Sequence, residues 1–226
     1  MKITFLGHST ILAHIGGKNI LFDPFITPNE LANQIDVNEL KVDYILVSHG
    51  HEDHVADVES IAKRTGAIIV SNFEITTWFE KRGCQNVHPM NIGGQWQFDF
   101  GNVRYVNAIH SSTMPDGASG GMPGGFVISS EDGNFYFAGD TALTYDMKLI
   151  PRYAKIDFAV LPIGDNFTMG FEDAVVAAQW VNTAKVLAVH FDTFGFIKVD
   201  HEAVKTVFNK EQIELILPEI GSTYNL

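Results

Sequence analysis

The stretch Tyr44-Ile45-Leu46-Val47-Ser48-His49-Gly50-His51-Glu52-Asp53-His54 decides how this chain reads. An apolar run of strand type ends in three imidazoles and the Asp53 carboxylate within six positions. Imidazole nitrogen and carboxylate oxygen are the donors that suit zinc, manganese and iron. Alternation along a turn that leaves a strand sends His49 and His51 to one side. Asp53 and His54, on the first turn of a following helix, then point at a second position. One short loop therefore offers ligands to two cations.

Three further residues sit where an apolar run has just ended. His110 follows residues 103–109, Asp140 follows residues 135–139, and His190 follows residues 186–189. Layered α/β folds place functional side chains in loops at strand ends, because the sheet fixes their origin. With His49, His51, Asp53 and His54 this makes seven candidate ligands. A two-cation site needs three or four donors per ion, and one carboxylate can bridge.

The rest of the chain punctuates in two similar halves. Residues 3–7, 10–15 and 19–23 read as short strands joined by tight turns, followed by a polar loop over 24–41. A buried strand over 43–48, a helix over 52–64 ended by Gly66, a strand over 67–71 and a helix over 73–82 come next. Hairpins over 96–109 and 125–138 open the second half. A strand over 158–162, a helix over 171–182, a strand over 186–190, a helix over 200–209 and a strand over 213–217 close it. Hairpins followed by β-α units, twice, favour one domain over 1–226 of two sheets face to face with helices outside.

Composition narrows the function. Nearly half the residues are apolar, so the chain can bury a sizeable core. The formal net charge of −12 repels phosphate backbones and anionic lipid surfaces, which argues against nucleic-acid and membrane partners and for a small-molecule substrate. The single cysteine, Cys84, suits a reducing cytoplasm and lies far in sequence from the histidines. No apolar run reads as a membrane span or a signal peptide.

The ordered set His49-x-His51-x-Asp53-His54, a lone His110, Gly139-Asp140-Thr141 and a last His190 resembles the metallo-β-lactamase superfamily. The resemblance spans nearly the whole chain. Gly7-His8-Ser9, the run Leu21 to Pro24, the run Pro162 to Gly164, the run Phe167 to Gly170 and the run His190 to Phe194 are similar to the subgroup of UPF0173 metal-dependent hydrolases. A more distant likeness is to the ascorbate-phosphate lactonase and N-acyl-ethanolamine phospholipase D branches. The resemblance implies an α/β fold, a four-layer αββα sandwich, with two divalent metal ions at one edge. Zinc or manganese is expected, ahead of iron. His49, His51 and His110 would hold one ion, Asp53, His54 and His190 the other, with Asp140 bridging. It also suggests a homo-oligomer. His at position 51, no cysteine near Asp140 and no long projecting arm separate the chain from diiron flavoprotein reductases, Cys-type β-lactamases and RNA-processing relatives.

The expected chemistry is hydrolysis of a small ester, lactone, thioester or phosphodiester by a hydroxide shared between the cations. Asp53 and Asp140 are the catalytic carboxylates. A diiron redox enzyme and a non-catalytic metal-binding protein remain the competing readings. Asp23 either orients the histidine loop, as in the resembling family, or caps a turn before Pro24. His8 either reaches the cleft, as a substrate contact or a proton carrier, or fills a turn. The small-residue segment 111–125 reads as a mobile lid bringing Met114 and Met122 to substrate. Phe167, with Met169, Phe191, Phe194 and Phe196, either lines an apolar pocket or joins the core, and the core takes most of them. Asp165 and Thr168 are expected to cap the helix that follows.

Overall fold

The computed structural model describes residues 1–226. Strands β1 (Lys2–Gly7), β2 (Thr10–Ile15), β3 (Lys18–Phe22), β4 (Tyr44–Leu46), β5 (Ile68–Asn72) and β6 (Val87–Met90) form one sheet in chain order. Strands β7 (Gln95–Phe98), β8 (Gly101–Asn107), β9 (Gly124–Ser130), β10 (Gly133–Phe137), β11 (Phe158–Pro162), β12 (Lys185–Val189) and β13 (Glu214–Ile216) form the other. The chain end, β14 (Thr223–Asn225), returns to pair with β1. Helices α1 (Glu52–Val55), α2 (Val58–Thr65) and α3 (Phe73–Lys81) belong to the first half, α4 (Phe171–Trp180) and α5 (His201–Lys210) to the second.

Strand direction places the site. β1 and β3 are each antiparallel to β2, and β4 to β6 continue parallel to β3. Likewise β8 and β10 flank β9 antiparallel, and β11 to β13 continue parallel to β10. The carboxyl ends of β1, β3 and β4 therefore share one edge of the first sheet, and those of β8, β10 and β12 share one edge of the second.

Three apolar layers hold the sandwich. Between the sheets, Phe22, Phe126, Phe135, Phe137 and Phe158 interlock with Ile3, Ile11 and Val160. The Phe22 and Phe137 rings stand 4.9 Å apart. Each fully buried ring of this kind stabilises by roughly 1.5–3 kcal/mol. Outside the first sheet, Val58, Ile61, Ile75 and Phe79 pack on Leu21, Ile45 and Ile69. Outside the second, Ala174, Ala178, Val204 and Phe208 pack on Ala159, Leu161 and Val186. The helix–sheet–sheet–helix arrangement is the expected αββα sandwich.

Several elements differ from the sequence reading. The helix expected over 52–64 breaks into α1 and α2 at Ala56 and Asp57. Asp57 is buried there, and its Oδ2 accepts the amides of Ile26 and Thr27 at 2.6 and 2.9 Å. That clamp holds the loop that leaves Asp23. β6 went unread because Pro89 and His88 weaken its strand pattern; as an edge strand it tolerates the missing donor. A 3₁₀ segment, Tyr145–Arg152, and β14 also went unread. Asp165 and Thr168 do not cap α4, whose N-cap is Gly170 without a side-chain bond. Segment 111–125 is not a free lid. Asn72 Nδ2 donates to the carbonyls of Gly120 and Met122 at 2.7 and 3.0 Å, Trp78 Nε1 donates to Asp116 at 2.8 Å, and Thr113 bridges to Ser119.

Candidate metal centre

Each candidate ligand leaves the end of a strand at the same edge of the sandwich. Residues 49–54 follow β4 across Val47 and Ser48, His190 follows β12 directly, and His110 and Asp140 stand three residues past β8 and β10. Gly50 is required within this loop: a Cβ there would lie 2.6 Å from Met114 Sδ. Met114, 1% exposed, packs beneath the loop. It presents no surface to a ligand, which corrects its expected substrate contact: the Met packs because the segment carrying it is pinned down.

The seven residues meet in two groups with one carboxylate between. Donor atoms of His49, His51 and His110 all lie within 4.8 Å of one another, as do those of Asp53, His54, His190 and His8. Asp140 Oδ2 lies 3.0 Å from His190 Nε2, 3.3 Å from His54 Nε2, 3.6 Å from His110 Nε2 and 3.9 Å from His49 Nε2. It thus faces imidazoles of both groups.

Protons are directed away from the centre. Ser48 Oγ donates to Asp23 Oδ2 at 2.5 Å, so it accepts from His49 Nδ1, 2.9 Å away. His54 Nδ1 donates to the same Asp23 oxygen at 2.8 Å. With Nδ1 engaged, Nε2 of each ring turns to the centre. Asp23 also accepts the Ser48 amide at 2.7 Å. Asp23 therefore contacts His54 directly and His49 through Ser48. Ser48 was not singled out in the sequence; its place directly before His49 was the available signal.

The electrostatics suit cations. Burial holds His49 well below the ordinary imidazole range and lowers His51 and His110, keeping their lone pairs free. Burial also opposes ionisation of Asp140, but His190 and His54 outweigh it and hold the carboxyl well below its usual range. Asp53 behaves likewise, burial being outweighed by His54 and His8. His54 is desolvated too, yet Asp140 and Asp53 raise it well above the ordinary value. Three side-chain atoms here are buried without any partner: His54 Nε2, Asp140 Oδ1 and His190 Nδ1. Buried polar atoms are rarely left orphaned, and bound divalent cations facing His54 and Asp140 would satisfy ligand atoms of this kind. The donor set fits two divalent ions.

The surroundings are aromatic. His8 is buried, and its ring lies 5.3 Å from Phe194 and 5.6 Å from Phe25. Phe167 and Phe196 meet edge to face at 6.2 Å. Phe194, Phe196 and Phe167 are 38%, 77% and 50% exposed, whereas Met169 is buried. Three of the five therefore stay out of the core, contrary to expectation: Phe194 and Phe196 lie on the loop after His190, where Asp192 is left-handed, and Phe167 follows Asp165 and Asn166, which are left-handed too. Met122 and Ile109 are exposed as well. The largest concavity, about 590 Å³, opens at the opposite end of the sheets around Gly16, Asp99 and Asp132, away from the imidazoles. His14, His88 and His201 stay outside the centre, bonded to Asn19, tilted against Trp96 at 5.1 Å and bonded to Asp192.

No helix is long and apolar enough to cross a membrane. The family described as Beta-lactamase superfamily domain matches residues 18–191. A UPF0173 metal-dependent hydrolase of Flavobacterium johnsoniae is 58% identical over 227 residues, covering both chains fully. One from Christiangramia forsetii is 56% identical with the same coverage. Among solved structures, Igni18, described as a novel metallo hydrolase from Ignicoccus hospitalis, superposes with a TM-score of 0.88 at 31% identity, covering 99% of this chain and 97% of its own.

Proposed function

Because this chain belongs to the UPF0173 metal-dependent hydrolases of the β-lactamase superfamily, we propose that it is a dinuclear hydrolase of a small ester, lactone, thioester or phosphodiester. The observation that carries this reading is the position of Asp140 Oδ2 within 3.0–3.9 Å of imidazoles from both donor groups. His49, His51 and His110 would hold one ion, Asp53, His54 and His190 the second, and Asp140 would serve both. Zinc and manganese fit this mixed nitrogen and oxygen set.

Divalent cations held by these residues would supply an activated water and polarise the scissile bond. The protein supplies the rest. Asp53 is the most accessible of the site carboxylates, its side chain 27% exposed against 2% for Asp140. It can take a proton from the attacking water and pass it to the leaving group. Asp23 and Ser48 engage Nδ1 of His54 and His49, which leaves Nε2 of each ring to face the centre. No serine or cysteine nucleophile is required. Phe194, beside His8, offers an apolar surface to the non-reacting part of a substrate, which favours small metabolites with an apolar group over polyanions.

Elemental analysis of protein purified without added metal, followed by an ester, lactone, thioester and phosphodiester panel, tests the proposal. Close to two zinc or manganese ions per chain with metal-dependent turnover is the expected result. Iron with visible absorption and no hydrolysis would replace it with a redox function. Two tightly held ions with no turnover would leave a binding protein.

A further inference from the structure

His8 belongs to the hairpin loop between β1 and β2, not to the histidine cluster, yet it is buried against Asp53. It is one of eight non-glycine residues with positive φ, at 53°. A residue held in this left-handed region signals that its surroundings over-determine its placement. Its carbonyl accepts the amide of His190 at 2.9 Å, fixing the turn to the opposite sheet. Its ring is boxed by Phe25, Phe194 and the His190 ring, the last at 4.2 Å.

Both ring nitrogens are engaged. His8 Nε2 lies 3.1 Å from Asp53 Oδ2, and Nδ1 lies 3.0 Å from Thr193 Oγ1. The same Asp53 oxygen faces His54 Nε2 and His190 Nε2, each at 3.8 Å, so it is the oxygen turned toward the second ion position. Two roles fit a nitrogen in this place: another ligand, or a donor to the carboxylate. Direction separates them. His54 Nε2 stands 3.3 Å from Asp140 Oδ2 without a well-formed hydrogen bond to it. His8 Nε2 makes a hydrogen bond to Asp53 Oδ2 at 3.1 Å. It points at the oxygen itself.

We propose that His8 is a positioning residue whose Nε2–H holds the Asp53 carboxylate toward the second metal position, with the Thr193 hydroxyl donating to Nδ1 behind it. The inference rests on the two-ion reading of the site. Asp53 needs such a tether. It stands on a helix of four residues, and its side chain is more exposed than those of Asp140 and His54. Thr193 and Phe194 lie on one loop, so the wall offered to substrate and the orientation of Asp53 share a support. A carboxylate turned away would leave the second ion one donor short and place its own proton acceptance out of line.

The test combines long-range ¹H–¹⁵N NMR of the His8 ring in the metal-free protein with cobalt(II) titration and kinetics of His8→Ala, His8→Gln and Thr193→Val. The proton is expected on Nε2. His8→Ala should weaken the second cobalt ion roughly 10–100-fold and leave the first unchanged, the range seen when a group supporting a metal ligand is removed. It should lower kcat with KM nearly constant. His8→Gln, which keeps a donor near the Nε2 position, should recover most of the loss, and Thr193→Val should fall between. A proton on Nδ1, or His8→Gln as weak as His8→Ala with altered cobalt absorption, would make His8 a ligand and overturn the proposal. Unchanged cobalt binding in His8→Ala would also overturn it. Wild-type protein that binds two ions but turns nothing over would retire the hydrolase reading alone, since the tautomer and the cobalt affinities are read without catalysis.

Discussion

Asp23 Oδ2 accepts His54 Nδ1 at 2.8 Å and Ser48 Oγ at 2.5 Å, so one buried carboxylate at the end of β3 sets the ring orientation of two imidazoles from the next strand. Burial pushes Asp23 up, and the His54 contact together with Ser48 opposes that shift. Replacement by Asn keeps the volume but removes the charge that orients both rings. Asp23→Asn should weaken metal binding roughly 10–100-fold in competition with a chelator, with far-UV circular dichroism unchanged.

Asp140 joins the two donor groups, so its loss should be felt by both ions. Asp140→Ala should drop the bound metal below one ion per chain and abolish turnover. Cys84→Ser, in the helical layer away from the site, should retain both ions and full activity. Elemental analysis and the hydrolase panel read the two variants side by side. Turnover persisting in metal-free Asp140→Ala would end the mechanism.

Stability of the chelated protein should fall on acidification. Burial lowers His8 to about 4 and lowers His49, His51 and His110 from 6.5. Between those values and 6.5 the unfolded chain binds protons that the folded one refuses, so unfolding becomes easier as pH drops. His54 runs the other way: its raised pKa contributes stability that is fully present below 6.5 and is lost only at higher pH. Asp23, raised by burial, runs with His54; four groups oppose two, and Tm should decrease from pH 7 to pH 4.5. A flat or rising Tm in thermal scans of metal-free protein would contradict this balance.

Gly50 and Met114 form a tight pair beneath the ligand loop. Gly50→Ala forces a methyl to 2.6 Å from Met114 Sδ and should cost about 1–3 kcal/mol while loosening metal binding. Met114→Ala opens space and should restore metal affinity to the double variant, with a coupling of roughly 0.5–3 kcal/mol in a double-mutant cycle. Additive effects would show that the loop is placed by other contacts.

Phe194 and Phe196 should shape substrate preference. In a series of acyl esters of rising chain length, Phe194→Ala should flatten the dependence of kcat/KM on length, each lost methylene contact being worth up to about 0.8 kcal/mol. Metal content should stay at the wild-type level. An unchanged slope in both Phe194→Ala and Phe196→Ala would place the apolar part of substrate elsewhere.

Much of the metal centre was legible because its chemistry is local. Three histidines and an aspartate within six positions announce themselves, and His110, Asp140 and His190 stand out by ending apolar runs. The supporting contacts were not legible. His8 and Thr193 are 185 positions apart, and only folded strands bring them together. Asp57 read as a helix residue because its service to the loop at 26–27 is tertiary. Pro89 and His88 hid an edge strand, since pattern reading penalises residues that an edge tolerates. Met114 looked mobile among small residues, but Asn72 holds the Gly120 and Met122 carbonyls farther along the same segment. The outward aromatics after His190 depend on left-handed backbone at Asp192, which no periodicity announces.

Each donor group takes members from both halves of the chain: His49 and His51 with His110, Asp53 and His54 with His190. Neither half alone can offer a complete seat for an ion. Loading would therefore follow the docking of one sheet upon the other, and bound cations would act as rivets across a seam that hydrophobic contact had already drawn shut.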